Sequence, residues 1–169
     1  YVTINDCANI ILAYGGSPAM CEAYDEVYDF AAISSAVYIN VGTLTKEQEN
    51  SVMLADMSCR KNNVPVILDP VGCGPAMKKK NMFISRLLVI GKVDVIKGNT
   101  GEIKFLAGKD SAIRGVDSVD NGEGAVEACK ELAQKYNCIV AATGKKDIIT
   151  DGKRTAIIRN GVELLTKVT

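Results

Sequence analysis

Four short apolar runs, "AVYIN" (36–40), "VPVILD" (64–69), "VDVI" (93–96) and "CIVAAT" (138–143), are separated by longer stretches with helical spacing. Buried strands alternating with amphipathic helices call for an α/β fold built on a mostly parallel sheet, because a parallel pair needs a long crossover between its strands. The helical stretches are 46–62, 78–90, 99–107 and 123–136, with two more, 5–14 and 22–33, ahead of the first strand. Gly15-Gly16 stops the first of these, and Thr45 with Gln48 has the spacing of a capping box. A polar loop to about 121 precedes the last helix. After residue 143 the pattern changes: "DIIT" and "RTAIIR" flank Asp151-Gly152, a hairpin turn signal, which predicts an antiparallel C-terminal edge. A length of 169 residues suits one domain over 1–169.

In such a sheet, ligands bind beyond the carboxyl ends of the strands. Those ends read "NVGT" (40–43), "DPVGCG" (69–74), "KGNTGE" (97–102) and "TGKKD" (143–147). Asn99 and Glu102 have capping-box spacing, and a cap contributes about 0.5–2 kcal/mol, which justifies both residues without any function. Capping does not explain Lys97, which sets a cation near a helix start that is already positive; an arriving anion would resolve the conflict. Asp69 closes an apolar strand and Pro70 keeps it extended, although Asp-Pro read locally is a turn signal. Gathered at one edge, Asp69 and Glu102 suit a hydrated Mg²⁺. Lys97, the Thr143 hydroxyl and the N–H groups of the glycines suit phosphate oxygens. The set fits phosphoryl transfer, whose catalysis is mostly positioning and charge neutralisation. It is not a Walker A site, since "GKDSAIRG" (108–115) and "ATGKKD" lack the glycine spacing.

Composition narrows the partners. Twenty basic and twenty acidic residues cancel, so there is no electrostatic case for nucleic acid or an anionic membrane, and a small molecule is the better-matched partner. No apolar run is long enough to span a bilayer and the first residues lack a signal-peptide layout, which predicts a cytoplasmic protein. The six cysteines form no C-x-x-C pair, which argues against zinc and, inside a cell, against disulfides. They read as small core residues, Cys73 included, since no histidine accompanies it as a base. With no histidine in the chain, acid–base and metal chemistry fall to carboxylates, thiols, amines and hydroxyls. "MKKKN" (77–81) reads most simply as a solvated helix start, with attraction of a nucleotide as the alternative.

"GGSPAM" (15–20), "INVGTLT" (39–45), "VPVILDPVGCG" (64–74), "IKGNTGEI" (96–103), "GVDS" (115–118), "AATG" (141–144) and "LLTKVT" (164–169) occur in an order that resembles the hydroxyethylthiazole kinase family, of the ribokinase-like superfamily. The resemblance implies a ribokinase-like three-layer α/β/α fold. It also implies ATP-dependent, in-line phosphorylation of the primary alcohol of 4-methyl-5-(2-hydroxyethyl)thiazole in thiamine salvage, with Mg²⁺. By motif position, Met20 takes the thiazole-contacting role, Lys97 and Thr143 contact ATP, and Asp69 and Glu102 take the metal and phosphate roles. Asn99 belongs to the N-x-x-E motif, associated with Mg²⁺ and phosphate. The resemblance further implies a homotrimer whose thiazole pockets lie between subunits. It also implies a chain incomplete at both ends, with the catalytic segment, G-x-G-C, expected just after Thr169. Two rivals share the superfamily, a hydroxymethylpyrimidine kinase and an NAD(P)H-hydrate repair enzyme; "GGSPAM" and "DPVG" favour the thiazole kinase. A third rival is a non-catalytic ligand-binding module.

Overall fold

The computed structural model describes residues 3–109 and 123–162. The polar loop beyond residue 109, "GVDS" and "LLTKVT" lie outside the described residues. The elements run α1 (Ile4–Ala13), α2 (Val27–Ile33), β1 (Val37–Asn40), α3 (Lys46–Asn62), β2 (Val66–Asp69), α4 (Lys78–Ile90), β3 (Val95–Asn99), α5 (Thr100–Leu106), α6 (Glu123–Tyr136), β4 (Ile139–Thr143), β5 (Asp147–Thr150) and β6 (Thr155–Ile158). One six-stranded sheet carries them in the order β1-β2-β3-β4-β5-β6. The first four strands pair in parallel, whereas β5 and β6 are antiparallel, as the Asp151-Gly152 signal predicts.

Period-two alternation divides the sheet into two unlike faces. Ile39, Val66, Leu68, Ile96, Val140, Ala142 and Ile148 point to one face and are buried in the core with Ile84, Leu87, Ile103 and Leu132 from the helices. Each fully buried side chain of this size contributes about 1.5–3 kcal/mol, so this face carries the main apolar stabilisation. The opposite face is half open: Tyr38 is 45 % exposed and Ile139 44 %. Four of the six cysteines, Cys59, Cys73, Cys129 and Cys138, are buried and free, as core residues should be.

Helix α2 and strand β3 differ most from their sequence expectations. Helix α2 begins at Val27, because the chain first makes a turn in which Glu26 and Val27 N–H both reach Ala23 O. Strand β3 starts at Val95 and continues to Asn99, later at both ends than the run "VDVI" indicates. Its late start follows from Asp94, whose carboxylate accepts Val66 N–H and Lys92 Nζ and so belongs to the turn. Its late end follows from β4, which pairs with it in register as far as Asn99 opposite Thr143. Lys97 and Gly98 are therefore strand residues, and the helix opens directly behind them.

The turn at Asp94 gives the protein a measurable acid sensitivity. Burial works against its charged form, but the Lys92 ammonium and Val66 N–H prevail and hold the carboxyl below its ordinary 3.8. Folded protein then binds fewer protons here than unfolded chain, so this stabilisation is present above pH 3.8 and is lost as pH falls through the folded value. We expect the thermal midpoint to drop on acidification below about pH 4 and Asp94→Asn to shrink that slope. Asp151, held low by the Arg154 and Lys153 N–H groups, adds in the same direction, so the slope is reduced rather than abolished. Equal acid slopes in parent and variant would clear Asp94 of any part in it.

Candidate active site

Strand register brings three polar side chains together on the half-open face. Tyr38 lies opposite Ile67 and Leu68 lies opposite Ile96, and just past the end of that ladder Asp69 meets Lys97 through their side chains. Residues two apart on one strand share a face, and diagonal neighbours on adjacent strands come within reach of long side chains. Accordingly, Tyr38 O–H donates to Asp69 Oδ2 at 2.6 Å and Lys97 Nζ pairs with the same oxygen at 3.0 Å. Asp69 is only 3 % exposed, and among the described residues its Oδ1 accepts no hydrogen bond. Burial first, and then the Asp69 carboxylate, push the Tyr38 phenol above its ordinary range, so it stays protonated as a donor.

The anion that Lys97 calls for is thus already present in the protein. Because Lys97 sits inside β3, its ammonium reaches sideways to the neighbouring strand instead of crowding the start of α5. Its side chain remains 44 % exposed.

Asn99 and Glu102 form the predicted capping box on α5. Asn99 Oδ1 accepts Glu102 N–H at 2.8 Å, and Glu102 Oε2 accepts Asn99 N–H at 2.8 Å. The second carboxylate oxygen goes beyond capping: Oε1 accepts Gly72 N–H at 2.8 Å and so ties the β2–α4 loop to the start of α5. Through that loop Asp69 and Glu102 belong to one edge of the sheet. Gly98 makes room for the arrangement, since a Cβ there would stand 3.0 Å from Glu102 Oε2. Gly72 has φ +70°, a left-handed conformation that glycine adopts without penalty.

The glycine N–H groups expected to hold phosphate are engaged within the protein. Gly72 donates to Glu102, Gly74 to Asn81 Oδ1 at 3.3 Å and Gly144 to Asp147 Oδ1 at 3.0 Å. Thr143 closes β4 beside Asn99, its hydroxyl donating to Gly98 O at 3.3 Å. Cys73 is buried, and burial pushes its thiol up to about 12, which removes it as a nucleophile. Met20 is 52 % exposed in the segment between α1 and α2, outside the hydrogen-bonded cluster.

Two residues at this edge escape sequence reasoning. Tyr38 stands between the aliphatic Val37 and Ile39, and an aromatic hydroxyl two positions before the strand end is the available signal. Lys80, one of three consecutive lysines, donates to Gly42 O and Val71 O at 2.9 Å each. It clamps the β1–α3 loop to the β2–α4 loop instead of facing solvent with Lys78 and Lys79; nothing local distinguishes it from them.

The model of the "Hydroxyethylthiazole kinase family" matches residues 1–169. The chain belongs to the hydroxyethylthiazole kinase family. It is 68 % identical to "Hydroxyethylthiazole kinase 2" of Clostridium botulinum (strain Loch Maree / Type A3) over 100 % of this chain and 64 % of that protein. It is 64 % identical to "Hydroxyethylthiazole kinase" of Clostridium kluyveri over 100 % of this chain and 62 % of that protein. The solved hydroxyethylthiazole kinase protein of Pyrococcus horikoshii OT3 superposes with a TM-score of 0.88 at 37 % identity, over 100 % of this chain and 62 % of that one. The family's α/β fold, parallel with an antiparallel C-terminal edge, is therefore the fold of this chain. The chain spans somewhat under two thirds of the length of these kinases. Among the described residues, no helix of this family member is long and apolar enough to cross a membrane.

Proposed function

We propose that this chain is the greater part of a cytoplasmic kinase that transfers the γ-phosphoryl group of ATP to the primary alcohol of 4-methyl-5-(2-hydroxyethyl)thiazole. Membership of the family supports the reaction, and the single sheet supports reading residues 1–169 as one kinase domain. The observation that carries the site is Asp69: a buried carboxylate with one oxygen shared by Tyr38 and Lys97 and the other without a hydrogen-bond partner among the described residues. A carboxylate oxygen with no protein partner is a ready ligand for a hard cation.

The residues present fit Mg²⁺, which commonly takes one or two carboxylates together with water and substrate phosphates. Among the described residues no group of three or more acidic or thiol side chains gathers into an all-protein site, in keeping with that mode. Asp69 would hold the ion directly. Glu102 would hold it through water, because both its oxygens already accept backbone N–H groups. When bound, the metal neutralises phosphate charge and orients the nucleotide.

The chain's own groups have separate tasks. Lys97 places a positive charge beside the nucleotide phosphates, and its half-exposed ammonium can turn from Asp69 to a phosphate oxygen. Asn99 and Glu102 fix the start of α5 against the glycine-rich loop, and the Thr143 hydroxyl at the end of β4 can turn its single hydrogen from Gly98 O to a nucleotide oxygen. Met20, exposed between α1 and α2, contributes an adaptable apolar wall to a thiazole pocket completed by a neighbouring subunit of a homotrimer.

A phosphoryl-transfer assay on the complete protein, with ATP, Mg²⁺ and a panel of small primary alcohols, tests the reading. Phosphorylation of the thiazole alcohol above the others supports it, and no transfer to any of them sinks it. Met20→Ala should raise KM for the thiazole alcohol about tenfold, in line with losing about 1–2 kcal/mol of apolar contact, and leave KM for ATP within about twofold. Equal effects on both substrates would take Met20 out of the pocket.

A further inference from the structure

We propose that Tyr38 is a positioning residue for the cation site: it locks the Asp69 carboxylate by Oδ2 and so presents Oδ1 to the ion. The proposal rests on reading Asp69 as the cation ligand and adds a residue outside every motif that marks the family likeness. Its basis is a directed series of hydrogen bonds. Gly42 N–H donates to Asn40 Oδ1 at 2.8 Å, which orients the Asn40 amide so that Nδ2 donates to the Tyr38 hydroxyl oxygen at 3.3 Å. With that oxygen accepting from Asn40, the phenolic hydrogen is left for Asp69 Oδ2, 2.6 Å away. The backbone of the β1–α3 loop thereby fixes the rotation of a carboxylate on β2.

The two partners of Asp69 Oδ2 differ in how firmly they are committed. Lys97 is a cation with a side chain 44 % exposed, at liberty to swing towards an incoming phosphate. Tyr38 is neutral, has no electrostatic reason to follow an anion, and is held by Asn40. As Lys97 turns to the nucleotide, Tyr38 is the contact that keeps Asp69 from rotating. Groups that orient a metal ligand commonly change metal affinity by 10–100-fold when removed.

The experiment compares parent, Tyr38→Phe and Asp69→Asn in the complete protein. Mn²⁺ is titrated in the presence of ADP, with free Mn²⁺ followed by electron paramagnetic resonance. Tyr38→Phe removes one hydroxyl from a side chain 45 % exposed and keeps the ring, so folding is retained and a thermal midpoint confirms it. The expected result is Mn²⁺ binding about tenfold weaker in Tyr38→Phe and weaker still in Asp69→Asn. In turnover, Tyr38→Phe should need more Mg²⁺ for half-maximal rate while KM for the thiazole alcohol stays put, a split that general loosening would not give. Unchanged Mn²⁺ affinity in Tyr38→Phe alongside a loss in Asp69→Asn overturns the role of Tyr38 and leaves Asp69 as the ligand. Unchanged affinity in both overturns the two together.

Discussion

Asp69→Asn in the complete protein is expected to lower kcat by about 10³-fold, the scale associated with removing a principal stabiliser of transferring charge. Shape is retained, so the loss reports charge. The carboxamide cannot bind a divalent ion as a carboxylate does, and Lys97 loses the partner that sits 3.0 Å from it. Because Lys97 is half exposed, solvent screens its orphaned charge and the stability loss stays modest, about 1 kcal/mol. Steady-state kinetics over a range of Mg²⁺ concentrations check the prediction. The expected variant does not recover at high Mg²⁺; full recovery, or turnover within about threefold of the parent, would mean that Asp69 is only a structural partner of Tyr38 and Lys97.

Glu102→Gln should follow at about 10²-fold in kcat, with thiazole affinity nearly unchanged. Both carboxylate oxygens accept a backbone N–H at 2.8 Å, from Gly72 and from Asn99. Glutamine offers one acceptor oxygen and an NH₂ group, so one of those N–H groups must face another donor, at about 1–3 kcal/mol for the unsatisfied pair. Either the cap on α5 or the tether to the glycine-rich loop is lost, and in both cases the residues around Asp69 shift. The readouts are kcat, KM for each substrate and the thermal midpoint. A stability loss with parent-like turnover would reduce Glu102 to a cap and a tether.

The dual task of Glu102 shows how far local sequence reasoning reaches. N-x-x-E spacing predicts the box with Asn99, which is what forms, because a cap involves residues three apart along one turn. The same reasoning cannot see Gly72, thirty positions earlier, whose N–H arrives only when β2 and β3 pair. Lys97 is a related case: as part of a corner it is an unmatched cation, whereas as a residue of β3 it pairs with Asp69 on the neighbouring strand.

Element order, the parallel core, the C-terminal hairpin and both capping boxes were legible in the amino-acid string, since periodicity and capping depend on neighbours a few residues away. Which side chains share a site was not. Tyr38, Asp69 and Lys97 meet because strand register sets one residue against another about thirty positions distant, and Lys80 departs from its two neighbours because two loop carbonyls lie within its reach. Local physics wrote the parts list; only the assembled sheet, by fixing long-range register, decided that Tyr38 and Lys97 would share one oxygen of Asp69 and leave the other without a hydrogen-bond partner among the described residues.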